Sequence, residues 1–168
     1  MLYFQKLQTW LLITKKELEE IDVHKMYRVY DKWPELAENG YNSNLKQLEL
    51  KTTHIVFSGM GGSGAIGDIF SSILSKTDVH VDVVKGYHLP KTAGRNSLVV
   101  ITSISGNTDE TMSVLEQALT SNCNIIAFSS GGKMKEFCEK KSIEFRQIQM
   151  EHSPRASFIG FLYYIISI

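Results

Sequence analysis

The sequence predicts an α/β fold, a three-layer sandwich in which a five-stranded parallel sheet lies between helices, preceded by short N-terminal helices. Three observations predict it. From residue 54 onward, short β-rich runs alternate with helical stretches of ten or more residues, as in strands joined by crossover helices. Several of those runs, Leu98-Val99-Val100-Ile101 among them, are apolar at consecutive positions, the pattern of strands buried on both faces. Segments rich in glycine and hydroxyl residues fall where a run gives way to a helix, which in a parallel sheet gathers them at the strands' carboxyl ends.

The elements follow in order. Thr14-Lys15-Lys16-Glu17 has the spacing of a capping box, so a helix is expected over 15–22. Residues 26–38 (MYRVYDKWPELAE) alternate apolar and charged positions at helical spacing, broken by Pro34 and stopped by Asn39-Gly40. Strands are expected over 54–58, 80–84, 97–102, 124–129 and 143–148. Helices are expected over 63–74, 108–120, 133–140 and 155–168, which gives right-handed crossovers and helices on both faces of the sheet. The last helix, RASFIGFLYYIISI, is apolar almost all round. Such a helix must be buried on every side, so cover is expected from a missing C-terminal half or from a partner chain.

Composition narrows the function. A length of 168 residues suits one domain. Lysine plus arginine equals aspartate plus glutamate at 18 each, which gives no basic field for nucleic acid or acidic lipid, so any anion site must be local. The two cysteines, Cys123 and Cys138, form no CxxC pair, and a reducing cytoplasm is expected. His24, His54, His80 and His88 are scattered without metal-ligand spacing, so neither metal nor cofactor is assigned. Residues 7–13 (LQTWLLI) are too few to span a bilayer and lack the features of a signal peptide. Residues 2–5 are given no function.

Four segments carry candidate chemistry. Ser58-Gly59-Met60-Gly61-Gly62-Ser63-Gly64 follows one strand and opens a helix, where free amides and the helix dipole favour an anion or a sugar. It lacks the Gly-Lys-Ser/Thr of a nucleotide phosphate loop, and the next strand ends in Val83-Val84-Lys85 rather than an acidic ribose-binding residue. Its competing reading is a tight turn. Ser103-Ile104-Ser105-Gly106-Asn107-Thr108 crowds hydroxyl and amide donors at another helix start. These can saturate a phosphate without any lysine, whereas capping alone needs one of them. Phe128-Ser129-Ser130-Gly131-Gly132-Lys133 again joins a strand to a helix, and both readings stand open for it. Glu151-His152-Ser153-Pro154-Arg155 places an arginine at a helix start, to clasp substrate oxygens or to stand in solvent.

Together, GMGGSGAIGD (59–68), Tyr87-His88-Leu89-Pro90, SISGNTDET (103–111), SSGGK (129–133) and SPRA (153–156), with Asp22, Met26 and Trp33-Pro34-Glu35-Leu36, resemble the bifunctional phosphoglucose/phosphomannose isomerases of the sugar isomerase (SIS) class. The resemblance covers residues 21–168. It implies a flavodoxin-like SIS domain over 51–168, a helical extension over 21–50 and an unmatched segment over 1–20. It also implies aldose–ketose isomerisation of glucose 6-phosphate and mannose 6-phosphate to fructose 6-phosphate through an enediol. Gly61, Gly62 and Ser63 are then expected at the sugar, Ser103, Ser105, Asn107 and Thr108 at the phosphate, and Arg155 at the enediolate oxygens. Ile104 stands where the family more often has tyrosine, and Gly64-Ala65 replaces an alanine-led helix start; neither change removes a donor. The family's catalytic glutamate, ring-opening histidine and late lysine lie in a second SIS domain, so the base is not expected in this chain. Glu151 and His152 are the local alternatives. A homodimer, or association with a second SIS domain, is implied.

Overall fold

The structure is a computed structural model that describes residues 13–43, 48 and 51–168. Residues 2–5 and most of the 7–13 stretch lie outside the described residues. The elements are α1 (Lys15–Ile21), α2 (Tyr27–Asp31), α3 (Trp33–Tyr41), β1 (His54–Ser58), α4 (Gly62–Leu74), β2 (His80–Val84), β3 (Ser97–Thr102), α5 (Asp109–Thr120), β4 (Asn124–Ser129), α6 (Gly132–Lys141), β5 (Glu144–Gln147) and α7 (Phe158–Ile166). All five strands are parallel, in the order β2-β1-β3-β4-β5, which is the doubly wound order of flavodoxin-like sheets. The expected three-layer sandwich is the observed architecture.

The period of two sorts each strand's side chains between two cores. Phe57 and Val100 join Ile66, Phe128, Phe161 and Ile165 on the face covered by α4 and α7. Val56, Val99 and Ile101 join Val114, Leu115, Met134 and Cys138 on the face covered by α5 and α6. Central β3 is buried at all six positions, and each large apolar side chain so buried contributes about 1.5–3 kcal/mol. Cys138 lies wholly inside, and burial pushes its thiol up to about 11. Only roughly one thiol in a thousand is then ionised at pH 8. Alkylation at that pH should leave Cys138 untouched in the folded chain and modify it in urea; mass spectrometry of the labelled peptides checks this.

The ends of several elements differ from expectation, each for a local reason. The capping box is present, with the Thr14 N–H donating to Glu17 Oε2 at 2.8 Å and the Glu17 N–H to Thr14 Oγ1 at 3.3 Å. Pro34 does not break a helix. It sits in the first turn of α3, where its missing N–H has no partner to lose, and the division from α2 falls at Lys32. Gly40 is not a stop either. It lies buried within α3, where an added Cβ would stand 3.0 Å from Tyr163 Cβ and 3.2 Å from the Gly160 carbonyl, so the glycine lets α3 and α7 approach closely. β5 begins at Glu144 because Ile143 is taken by the end of α6: Ser142 is left-handed at φ 54° and the Ile143 N–H bonds the Cys138 carbonyl at 2.9 Å.

The last helix begins at Phe158, not Arg155. Residues 154–157 form a turn in which the Ser157 hydroxyl donates to the Ser153 carbonyl at 2.8 Å and the Ala156 carbonyl accepts the Trp33 indole N–H at 3.0 Å. Gly160, Phe161, Leu162 and Ile165 of α7 are buried between the sheet-side core and α3, while Ile166 is 39% exposed. Much of the cover expected from elsewhere thus comes from this chain's own N-terminal helix. Among the described residues, no helix is long and apolar enough to cross a membrane.

Candidate functional site

The strand order places β1 and β3 side by side while their following helices cover opposite faces. Their carboxyl ends flank the crevice in which ligands of open α/β sheets sit. Three loops converge there on a cavity of about 160 Å³, lined by Met60, Gly62, Ser63, Ile104, Ser105, Thr108, Pro154 and Arg155. The loop after β1 supplies Gly62 and Ser63 at the first turn of α4, whose cap Gly61 has φ +54°. The loop after β3 supplies Ser105 and Thr108. The turn before α7 supplies Arg155, which is exposed.

The hydroxyls of the second loop do not cap its helix. Thr108 stands at the N-cap of α5 without a side-chain cap bond, and α4 likewise begins with none. The Thr108 hydroxyl instead shares a 3.0 Å hydrogen bond with Ser103 Oγ, and the Asn107 N–H donates to Ser105 Oγ at 3.3 Å. Two helix N-termini without side-chain caps and one guanidinium meet at one cavity, which is a site for an anion. Closed small-molecule sites usually span roughly 300–1,000 Å³. This one falls below that range and is sized for a small group.

Five of the eight candidate residues thus line one cavity: Gly62, Ser63, Ser105, Thr108 and Arg155. The other three are not among its lining residues. Ser103 is 2% exposed, and its Oγ accepts the Gly106 N–H at 3.2 Å, so it shapes the loop from within. Asn107 points to the third loop, its Oδ1 accepting the Lys133 N–H at 3.1 Å. Gly61 makes the left-handed turn into α4. The third loop is a buttress: the Ser130 N–H and hydroxyl both donate to the Ile104 carbonyl, at 3.0 and 2.6 Å. Met60, Ile104 and Pro154 are apolar lining that sequence reasoning passed over. Adjacency to the polar motif residues was the signal for each.

Neither local alternative for proton transfer reaches the cavity. Glu151 lines a separate space with Leu36, Asn39 and Tyr164, and the His152 Nε2–H donates to the His24 carbonyl at 3.1 Å. These contacts strap the N-terminal helices to the turn that carries Arg155, with the Ser153 hydroxyl 3.8 Å from Met26 Sδ as a further tie. Ser58 Oγ, buried at the end of β1, has no hydrogen-bond partner. A larger space of about 460 Å³ lies between the segment following β2 and the middle and C-terminal half of α5. Its Ser113 and Gln117 are already bonded to the Tyr87 carbonyl, and the C-terminal half of a helix repels anions.

Comparison with known proteins agrees with this fold. The SIS domain family matches residues 50–167. The chain is 32% identical over 133 residues to a bifunctional phosphoglucose/phosphomannose isomerase of Caldicellulosiruptor bescii, covering 79% of this chain and 39% of that protein. It is 28% identical over 144 residues to a D-glucosamine-6-phosphate 4-epimerase of Sulfolobus acidocaldarius, covering 85% of this chain and 45% of that protein. It therefore spans less than half the length of these relatives. An Escherichia coli CFT073 protein solved in complex with a ligand shares the fold, with a TM-score of 0.65 at 16% identity over 92% of this chain and 90% of that one. The chain belongs to the SIS domain family.

Proposed function

We propose that this chain supplies the sugar-phosphate-binding part of an aldose–ketose isomerase that interconverts glucose 6-phosphate or mannose 6-phosphate with fructose 6-phosphate. The observation that carries this reading is the convergence of two helix starts without side-chain caps and Arg155 on one cavity. The phosphate is held by Ser105, Thr108 and the amides of α5, with Ser103 and Asn107 keeping that loop in shape. Gly62 and Ser63 face the sugar, and Gly61 turns the chain toward it. Isomerisation through an enediol requires a base to move a proton between C1 and C2 and donors to hold the developing oxyanion. Arg155 is the donor. No carboxylate or imidazole is among the lining residues, so the base comes from a second SIS domain or a partner copy that closes the cleft.

The same composition of the lining favours a second reading, a phosphosugar-binding regulatory module without turnover. One experiment separates the two. Isomerase activity toward each hexose phosphate is assayed with this chain alone and with the C-terminal half of the Caldicellulosiruptor relative added in trans, alongside calorimetric titration with fructose 6-phosphate. Activity only in the mixture is the expected result. Binding without turnover in either case selects the module, and absence of binding removes both.

A further inference from the structure

Along the sequence the histidines show no metal-ligand spacing, but the sheet brings two of them together with a carboxylate. His80 and Asp82, two residues apart, project from one face of β2, and the parallel register sets His54 of β1 beside His80. His54 Nε2 lies 3.0 Å from Asp82 Oδ2, and His80 Nε2 lies 3.6 Å from Asp82 Oδ1. One ligand atom from each residue falls within 4.8 Å of the other two. The cluster sits at the amino ends of the strands, at the sheet edge opposite the anion cavity, so sugar-phosphate binding does not account for it.

The fold explains why polar groups stand there. α4 covers the other face of β1 and β2, where its Gly67 would press an added Cβ to 2.9 Å from Phe57 and Val83. α5 and α6 cover the near face over β3, β4 and β5, and among the described residues no helix packs on that side of the edge strand β2. His54 is also oriented from behind. Its Nδ1 is 2.9 Å from Oγ of Ser97, which is 3% exposed and itself accepts the Gly94 N–H at 3.0 Å. Without an ion, the Nε2–H donates to Asp82 Oδ2 and Nδ1 accepts from the Ser97 hydroxyl; an ion between them would take the Nε2 lone pair, with Nδ1–H then donating to Ser97, the arrangement that outer partners impose on metal-binding imidazoles.

We infer that His54, His80 and Asp82 bind a divalent transition metal of the zinc class, which clips the edge strand β2 to β1. Two imidazoles and one carboxylate suit Zn²⁺, Co²⁺ or Ni²⁺, whereas Ca²⁺ and Mg²⁺ require more oxygen ligands. Tetrahedral zinc with bonds of about 2.0–2.2 Å sets its ligand atoms about 3.3–3.6 Å apart; here the two imidazole nitrogens reach different oxygens of Asp82, and with one atom from each residue already within 4.8 Å of the others the site needs only a small closure. Rotation of His80, whose side chain is 68% exposed, brings its nitrogen into place. The fourth position is left to water or an outside donor.

The test titrates the full chain with Co²⁺, reading the visible bands of tetrahedral cobalt, and then displaces it with Zn²⁺ while thermal unfolding is followed. One equivalent should bind with micromolar affinity and raise Tm by several degrees, because a ligand of the folded state alone stabilises it. His80→Ala and Asp82→Asn, each at a solvent-accessible position, should weaken binding at least 30-fold. Their circular dichroism and fructose 6-phosphate titration should match the parent. His24→Ala with His152→Ala, at the chain's other histidine pair, should leave metal binding unchanged. Three results would overturn the inference: no tetrahedral cobalt spectrum, binding that survives both His80→Ala and Asp82→Asn, or binding lost with the His24/His152 pair.

Discussion

Gly106→Ala should destabilise the chain by about 3–5 kcal/mol, a large share of the roughly 5–15 kcal/mol that holds a domain folded. Two costs add. Gly106 has φ +71°, a left-handed conformation that charges a residue with a Cβ about 1–2 kcal/mol. The new Cβ would also stand 1.8 Å from the Gly131 carbonyl oxygen and 2.6 Å from Ser129 Oγ, and such overpacking against backbone costs about 1–3 kcal/mol or more. Neither loop can yield easily, because the Ser130 N–H and hydroxyl hold the Ile104 carbonyl and the Met134 N–H holds the Gly106 carbonyl at 3.0 Å. Gly61→Ala is the matched comparison. It has φ +54° and ψ −123° with open space around the new Cβ, so it should lose only the backbone strain, about 1–3 kcal/mol. Urea midpoints of the two variants measure the difference, and a Gly106→Ala chain no less stable than Gly61→Ala would show that the two loops are not locked together.

That crossing of loops marks where sequence reading ran out. The alternation of elements was legible because each is governed by neighbours within a few residues. β1 to β4 lie on their expected spans, and β5 alone is shorter, since Ile143 serves the end of α6. The candidate loops were legible because glycine and hydroxyl residues cluster at strand ends for identifiable reasons. What each side chain does there depends on contacts far away in the chain. Ser103 and Ser105 are alike in sequence, yet one is buried beneath the loop and the other lines the cavity. Asn107 reaches Lys133, and Gly40 serves the approach of α7 rather than the end of its own helix. The His54–His80–Asp82 cluster is a product of strand register, which no spacing within a single segment reveals.

The division between lining and supporting residues has a measurable consequence. Ser105→Ala combined with Thr108→Ala removes two hydroxyls from the cavity wall while leaving the α5 amides in place. A hydrogen bond to a charged acceptor is worth about 1.5–3 kcal/mol, so the double variant should lose on the order of 100-fold or more in fructose 6-phosphate affinity by calorimetry. Stability should fall by only about 1 kcal/mol, for the Thr108–Ser103 and Asn107–Ser105 hydrogen bonds that are lost, since neither hydroxyl caps the helix. Arg155→Ala should also weaken binding and flatten its dependence on salt, because the guanidinium contributes charge at the rim of the cleft. Ser103→Ala should behave differently. Its Oγ accepts from Gly106 and meets Thr108 inside the protein, so its removal should cost about 1 kcal/mol of stability with a smaller loss of affinity. Inorganic phosphate used as a second titrant separates the two ends of the ligand: weakening by Ser105→Ala/Thr108→Ala should appear with phosphate alone, because the phosphate is what those hydroxyls hold. Unchanged fructose 6-phosphate affinity in the double variant would remove the phosphate from this loop and leave the two helix starts without the role assigned to them.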